Sequence, residues 1–288
     1  MNILVTGSGT LLGNSVSRFL AKKGFNIIST YRKSYPSNLK KKNIIIKKIN
    51  LNKKNIKINF KVDCLVHCAS AIPSYNLKDD KMFKSNVKGF RNLLEECLKR
   101  GCKKIILISS MSVYGKIKKQ VNLKTQLRPR DTYGKSKLLN EKDIIKYSKA
   151  NDLDYFILRL PALVGKNSDY NFISKVLKRI KNNNLITFAN PNLMFNNFIH
   201  VKNLTEIIYK MINLNGPAIL NMAATKPMKL KKIINKIYKF EKKKNNSILI
   251  KSSSKGFNIK IDNYLKKNFN LLTTSKTLQL FLEDNKKI

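Results

Sequence analysis

Tyr133 and Lys137 stand four residues apart in the segment YGKSK. On a helix that spacing puts both side chains on one face, with Cβ atoms roughly 6 Å apart. A free phenol, with a pKa of about 10, is a poor acid–base group at neutral pH. A cation held beside it favours the phenolate and brings it towards the working range. Upstream, ISSMSVYG (108–115) offers the hydroxyl of Ser110 after an apolar run, residues 104–108, that reads as a buried strand. Such a trio can polarise a carbonyl and exchange a proton with its oxygen. YxxxK alone is a short pattern that a surface tyrosine and lysine match by chance. The elements that would position it must therefore be legible too.

They are legible from the first residues. The chain opens MNILVTGSGTLLG: Ile3, Leu4 and Val5 form a short apolar run, Gly7, Gly9 and Gly13 follow, and Val16, Phe19 and Leu20 recur at helical spacing. Strand, glycine turn and helix make up the context of a dinucleotide-phosphate loop. Glycines let the backbone approach a pyrophosphate, and the helix start offers unpaired N–H groups and the positive end of its dipole. Further apolar strands at 26–29, 44–49, 64–67, 104–108 and 155–158 alternate with helical patterns at 12–23, 81–99 and 132–149. Such alternation predicts a mostly parallel sheet with helices on both faces. After Gly165 it loosens: 171–184 and 229–240 read as helices and 191–197 as loop.

With these motifs in order, the sequence resembles the short-chain dehydrogenase/reductases, and among them the extended group of nucleotide-sugar epimerases, dehydratases and ketoreductases. The resemblance continues through DCLVHCAS (63–70), NVKGFRNLLEEC (86–97), LRLPALVG (158–165), NFIHVKNL (197–204) and LNMA (220–223). It implies an α/β doubly wound parallel (Rossmann) sheet in residues 1–165 with late sheet elements from 196–225. Residues 166–288 would form mainly a small C-terminal substrate lobe, bounding a cleft. It further implies Tyr133 as proton donor and acceptor. Lys137 would lower the phenol's pKa and bind the nicotinamide ribose, and Ser110 would orient the substrate oxygen. For the cofactor it implies Gly7, Gly9, Thr10, Leu11, Leu12 and Gly13 at the phosphates, and Tyr31 and Arg32 after the second strand. Asn50, Leu51, Cys68 and Ala69 would lie beside the adenosine, with Asn86 and Leu160 completing the set. Loops 71–80, 115–130 and 161–197 would build the substrate pocket.

Departures from the family pattern carry information. The loop is GxGxxxG where extended members show GxxGxxG, so Thr10 replaces the middle glycine and Gly9 stands beside it. Ser110 is followed by Met111 and Ser112 rather than an acidic pair, which argues against dehydration. Asn196 occupies a position where nucleotide-sugar epimerases carry an arginine for the substrate pyrophosphate, although other lysines could replace it. The second strand ends STYRKS, with Arg32 and Lys33 and no carboxylate for a ribose 2′-hydroxyl, so NADP is favoured over NAD.

Charge and composition bound the remainder. The net charge of +43 would ordinarily suggest a nucleic-acid partner. Yet of 59 basic residues eight are arginines and 51 are lysines, spread along the chain with abundant Asn and Ile. Phosphate and base recognition favour arginine's planar fork, whereas Lys, Asn and Ile are residues of A/T-rich codons. Genome composition is the better reading, without a specific nucleic-acid partner. No apolar run reaches the roughly 18 residues that cross a membrane, and the N-terminal strand does not read as a signal peptide. Cys64, Cys68, Cys97 and Cys102 lack paired CxxC spacing, and His67 and His200 are too scattered for a zinc site, so no metal is expected. Reduced thiols suit the cytoplasm.

The expected activity is hydride transfer between NAD(P) and a carbonyl or alcohol carbon of a sugar or nucleotide-sugar. An NAD-dependent nucleotide-sugar epimerase is the alternative. A catalytically inactive cofactor- or RNA-binding relative is the alternative of another class. Apolar residues on more than one stripe suggest a homodimer through two helices: Phe83, Val87, Phe90, Leu94 and Leu98 on one, and Leu138, Leu139, Ile144, Ile145 and Tyr147 on the other.

Overall fold

The computed structural model describes residues 1–53, 56–73, 78–117, 119–250 and 256–286; parts of the loops 71–80 and 115–130 thus lie outside the described residues. Seven strands form the central sheet: β1 (Asn2–Thr6), β2 (Asn26–Tyr31), β3 (Ile44–Lys48), β4 (Cys64–His67), β5 (Lys104–Ser110), β6 (Asp154–Leu160) and β7 (Ala218–Asn221). Their order is β7-β6-β5-β4-β1-β2-β3. The pairs β1–β2, β1–β4, β2–β3 and β4–β5 are all parallel. Strand order proceeds outward from β1 in both directions, so right-handed crossovers place helices on opposite faces of the sheet. That is the doubly wound arrangement expected, with its switch point between β1 and β4, where such sheets bind ligands. β1 and β4 are buried along nearly their whole length, as strands covered on both faces must be.

The helices of the sheet side are α1 (Leu11–Lys22), α2 (Asp79–Phe83), α3 (Gly89–Lys99) and α4 (Thr132–Asn151). α4 begins at Asp131, whose carboxylate accepts the Gly134 N–H at 2.6 Å, and ends at Asp152 in the left-handed region (φ 46°). The single helix expected over 81–99 is instead α2 and α3 joined by a π-helical segment, Lys84–Lys88. Hydrophobic spacing does not reveal a one-residue insertion in the turn, and such segments gather at functional sites.

The chain divides into two compact units. The first comprises Met1–Lys116, Gln126–Arg159 and Thr205–Leu220. Its core joins Leu4, Leu65, Ile105 and Leu107 of the sheet to Phe90, Leu93 and Leu94 of α3 and Ile144 of α4. At the amino ends of β5 and β6, the Lys104 ammonium pairs with Asp154 (3.0 Å) and donates to the carbonyls of Ile212 and Leu214. Those are the terminal carbonyls of the helix Val201–Ile212 and the turn after it, so the lysine caps that helix.

The second unit comprises Ile117–Thr125, Leu160–Leu204 and Asn221–Ile288. Its core packs α5 (Phe172–Lys181), α7 (Leu230–Phe240) and α9 (Thr274–Asp284) around Phe198 and Val164. α6 (Val201–Ile212), α8 (Asn263–Asn268) and α9 are helices that the spacing reading does not pick out. The segment expected as loop at 191–197 contains a two-residue strand, Met194–Phe195, antiparallel to Met228–Lys229. Two residues are too few for alternation to register.

Candidate active site

A cavity of about 270 Å³ opens at the carboxyl ends of β1, β2 and β4 in the first unit. Of the residues expected at the cofactor, Gly7, Gly9, Thr10, Tyr31, Arg32, Leu51, Ala69 and Asn86 line it. The loop between β1 and α1 explains how Thr10 is accommodated. Gly7 takes φ +74°, a conformation that side chains rarely adopt. Thr10 sits at φ −101°, ψ 162°, extended backbone, so a β-branched residue is unstrained there. Its hydroxyl donates to the Gly7 carbonyl (2.8 Å) and accepts the Gly13 N–H (3.3 Å), capping α1. Helix geometry leaves the Leu11 and Leu12 N–H groups without partners in their own helix. The side chain of Leu12 is buried beneath them, as is Gly13.

On the β2 side, Arg32 and Lys33 reach the cavity, and neither forms an ion pair among the described residues. Asn50 lies elsewhere: it is exposed, and its side-chain oxygen accepts the Asn52 N–H (3.1 Å), closing a local turn, while Ile49 and Leu51 wall the cavity. Leu160 is buried in the second unit. Asn86, on the π-helical segment, accepts from the Ala71 N–H (2.8 Å) and donates to the Ala71 carbonyl (2.9 Å) and to Ser136 (3.2 Å). It pins the loop after β4 as a neighbouring strand would.

Sequence reasoning did not single out Thr6, Ser34, Ser70 or Ser85, which line the same cavity. Their signal is positional: each stands at or just past the end of a strand, or on the segment facing it. Thr6 accepts the Ala69 N–H and pairs with the imidazole of His67, each at 3.0 Å. Burial, helped by the charge of Lys137, pushes His67 down to about 3, so it is neutral at physiological pH.

The trio is assembled at the ends of β5 and α4. The Tyr133 phenol is hydrogen-bonded with the side chains of Ser70 and Ser110. The Lys137 ammonium is buried, donates to the Ile108 carbonyl (2.9 Å) and lies 5.7 Å from the Tyr133 ring centre. Here one expectation is corrected. Burial pushes the phenol above its ordinary value, and the two serines oppose that shift only partly. The lysine faces the ring and a carbonyl rather than the hydroxyl, so it does not lower the phenol in this state. Burial also brings Lys137 down to about 8, with Cys68 and Glu141 resisting the shift. Cys68 itself is driven up to about 12 by burial and is inert as a nucleophile.

Behind the trio lies a buried ion pair absent from the sequence reading. Glu141 follows Lys137 by one turn of α4 and pairs with Arg159 of β6 (2.7 Å), both almost wholly inaccessible. The Arg159 guanidinium also donates to the Tyr114 hydroxyl (2.7 Å), and the Ser109 hydroxyl donates to Glu141. An arginine inside the apolar strand DYFILRL needs such a partner. That requirement was the available signal.

In the second unit Asn196 is buried with its side chain committed. It donates to the carbonyls of Ala224 (3.0 Å) and Ile259 (2.9 Å) and accepts the Ile259 N–H (2.9 Å). It ties three segments of that unit together and has no donor left for a ligand. Nearby, His200 is buried 3.2 Å from Asp284. No helix among the described residues is long and apolar enough to cross a membrane.

Comparison with known proteins agrees with this fold. D-erythronate dehydrogenase of Haemophilus influenzae is 26% identical over 180 residues, 55% of this chain and 57% of that protein. The chain thus spans little more than half the length of this curated relative. UDP-glucuronic acid 4-epimerase from Bacillus cereus, solved in complex with NAD, superposes with a TM-score of 0.81 at 18% identity, covering 99% of this chain and 95% of that one. RMD from Pseudomonas aeruginosa, complexed with NADPH, gives 0.76 at 15% identity, covering 99% of each chain. At such identities the two structures establish the fold. Residues 3–223 match the NAD dependent epimerase/dehydratase family, and the chain belongs to it.

Proposed function

We propose that this protein is an NADP(H)-preferring oxidoreductase acting on a carbonyl or alcohol carbon of a sugar or nucleotide-sugar. The observation that carries the reading is the Tyr133 phenol held by the side chains of Ser70 and Ser110, with Lys137 beneath its ring. The first unit's cavity suits a dinucleotide phosphate: a glycine turn, a helix start whose first N–H groups have no partner in their own helix, and two cations without acidic partners among the described residues. A bound nicotinamide supplies the donor and acceptor of a hydride. The chain's own part is proton handling. The phenol, raised by burial, is protonated at neutral pH and is ready to donate to a substrate oxygen held by Ser110. Lys137, with a pKa of about 8, is still largely charged at pH 7; tied to the Ile108 carbonyl beneath the ring, it fixes the face of α4 that presents the phenol. The second unit is assigned the recognition of the substrate. The four free cysteines suit a reducing cytoplasm.

The second reading is a nucleotide-sugar epimerase, favoured by the likeness to the Bacillus cereus 4-epimerase. Here the same residues would serve oxidation and re-reduction of one carbon. Incubation with NADPH and a panel of keto-sugars and nucleotide-sugars separates the two. Net loss of absorbance at 340 nm is expected. A pyridine nucleotide that co-purifies, survives dialysis and shows no net turnover would replace the reductase with the epimerase.

A two-fold homodimer is proposed through the surface of α3 and α4. Within one chain Arg91 pairs with Asp143 (2.9 Å), and Leu98, Ile145 and Tyr147 pack on the core, which leaves Leu138 and Leu139 half-buried to face a second copy. Each copy carries a net charge of +43, so association should tighten as salt screens it. Light scattering at low and physiological ionic strength is expected to show a growing dimer fraction. A monomer at both removes the proposal.

A further inference from the structure

The glycine that departs from the family spacing has a neighbour of its own. A Cβ placed on Gly9 would lie 2.7 Å from the Ser34 carbonyl oxygen, a distance real Cβ atoms essentially never reach. Gly9 does not adopt a left-handed backbone, so a side chain there is excluded by this approach alone. Ser34 follows Arg32 and Lys33 directly, and all three line the cavity together with Gly9 and Thr10. The turn after β2 is therefore packed down onto the phosphate loop. A second tether holds it there: the Asn14 amide at the start of α1 donates to Asn38 (2.7 Å), and Asn38 donates back (3.3 Å). A third lies at the strand end, where the Ser8 N–H and hydroxyl both donate to the Thr30 carbonyl at 2.8 Å. Arginine loses less conformational freedom per hydrogen bond when its backbone is already fixed.

We infer that Gly9 is a positioning residue for cofactor choice: by admitting the Ser34 carbonyl it holds Arg32 and Lys33 over the cavity, where they select a 2′-phosphate over a 2′-hydroxyl. The inference rests on the NADP(H) reading above. Thr10 and Gly9 are then two halves of one exchange. The threonine caps α1 without needing glycine's freedom, and the glycine one residue earlier makes room for the cationic turn.

The test measures dissociation constants of NADPH and NADH by fluorescence for the full-length protein and for Gly9→Ala and Asn38→Ala. Wild type should prefer NADPH. Gly9 also lines the phosphate site, so the readout is the ratio: Gly9→Ala should lower the NADPH/NADH preference about tenfold, the value of one charge-assisted contact, whatever loss the two nucleotides share. Asn38→Ala, which breaks only the exposed tether, should move the ratio in the same direction by less and guards against a Gly9→Ala protein that does not fold. A merely structural role would weaken both nucleotides equally and leave the ratio fixed. An unchanged ratio in both variants overturns the inference while leaving the cofactor reading intact. A wild type that binds NADH as tightly as NADPH overturns both, and is recognised before any variant is made.

Discussion

Tyr133→Phe is expected to reduce turnover by about 10²- to 10⁴-fold, the usual contribution of a positioned acid–base group, while NADPH affinity stays within about threefold of wild type. The asymmetry follows from what is removed. Phenylalanine keeps the ring that Lys137 approaches at 5.7 Å and disturbs no backbone cap, since α4 is started by Asp131 rather than by the tyrosine. It removes only the hydroxyl that Ser70 and Ser110 hold, the one group placed to exchange a proton with a substrate oxygen. A fall in kcat and kcat/KM together, with unchanged nucleotide binding, is the signature of an interaction made in the transition state. The assay uses whichever keto-sugar or nucleotide-sugar sustains NADPH oxidation by wild type. Undiminished turnover would remove Tyr133 from the chemistry, and an equal loss of nucleotide binding would make it a binding residue instead.

Arg159→Met is expected to destabilise the protein by about 3–5 kcal/mol, the range for removing one partner of a buried pair. The Glu141 carboxylate would remain in a site where only 2% of its side chain is accessible, and the Tyr114 hydroxyl would lose its donor. The double variant Arg159→Met/Glu141→Met should recover a large part of that loss, because it leaves no charge behind. Urea denaturation followed by circular dichroism gives both values. A single variant within about 1 kcal/mol of wild type, as surface pairs typically are, would show that the pair is not desolvated. Activity should suffer too. Glu141 is one turn beyond Lys137 on α4, and Ser109 links it to the strand that supplies the Ile108 carbonyl and Ser110.

The sheet was readable because parallel strands covered on both faces appear as apolar runs: Cys64–His67 is the expected strand to the residue, and Lys104–Ser110 exceeds its forecast by two. The pairing of Tyr133 with Lys137 was readable because their spacing reports one face of a helix, α4. Other parts lacked a local signal. The exposed side chain of Asn50 closes a turn that a match to a family position does not disclose. The commitment of Asn196 to Ala224 and Ile259 depends on segments 28 and 63 residues away. The π-helical segment that carries Asn86 breaks helical spacing where the pattern still looks continuous. Glu141 and Arg159 were findable, because each is a charge on an otherwise buried face. The raised phenol was not, since burial of Tyr133 depends on how the surrounding segments close over it.

The conformation of Thr10 has a consequence for how such chains are found in genomes. A search keyed to glycine spacing treats three positions of the loop as equivalent letters, yet they answer different demands. Gly7 answers a torsional one, at φ +74°, whereas position 10 is extended at φ −101° and accepts any residue able to satisfy the next N–H groups. Serine, aspartate and asparagine meet that demand as well as threonine does. A phosphate loop can therefore be written in an alphabet of capping residues at its midpoint. Members using that spelling will be undercounted wherever the middle glycine is required.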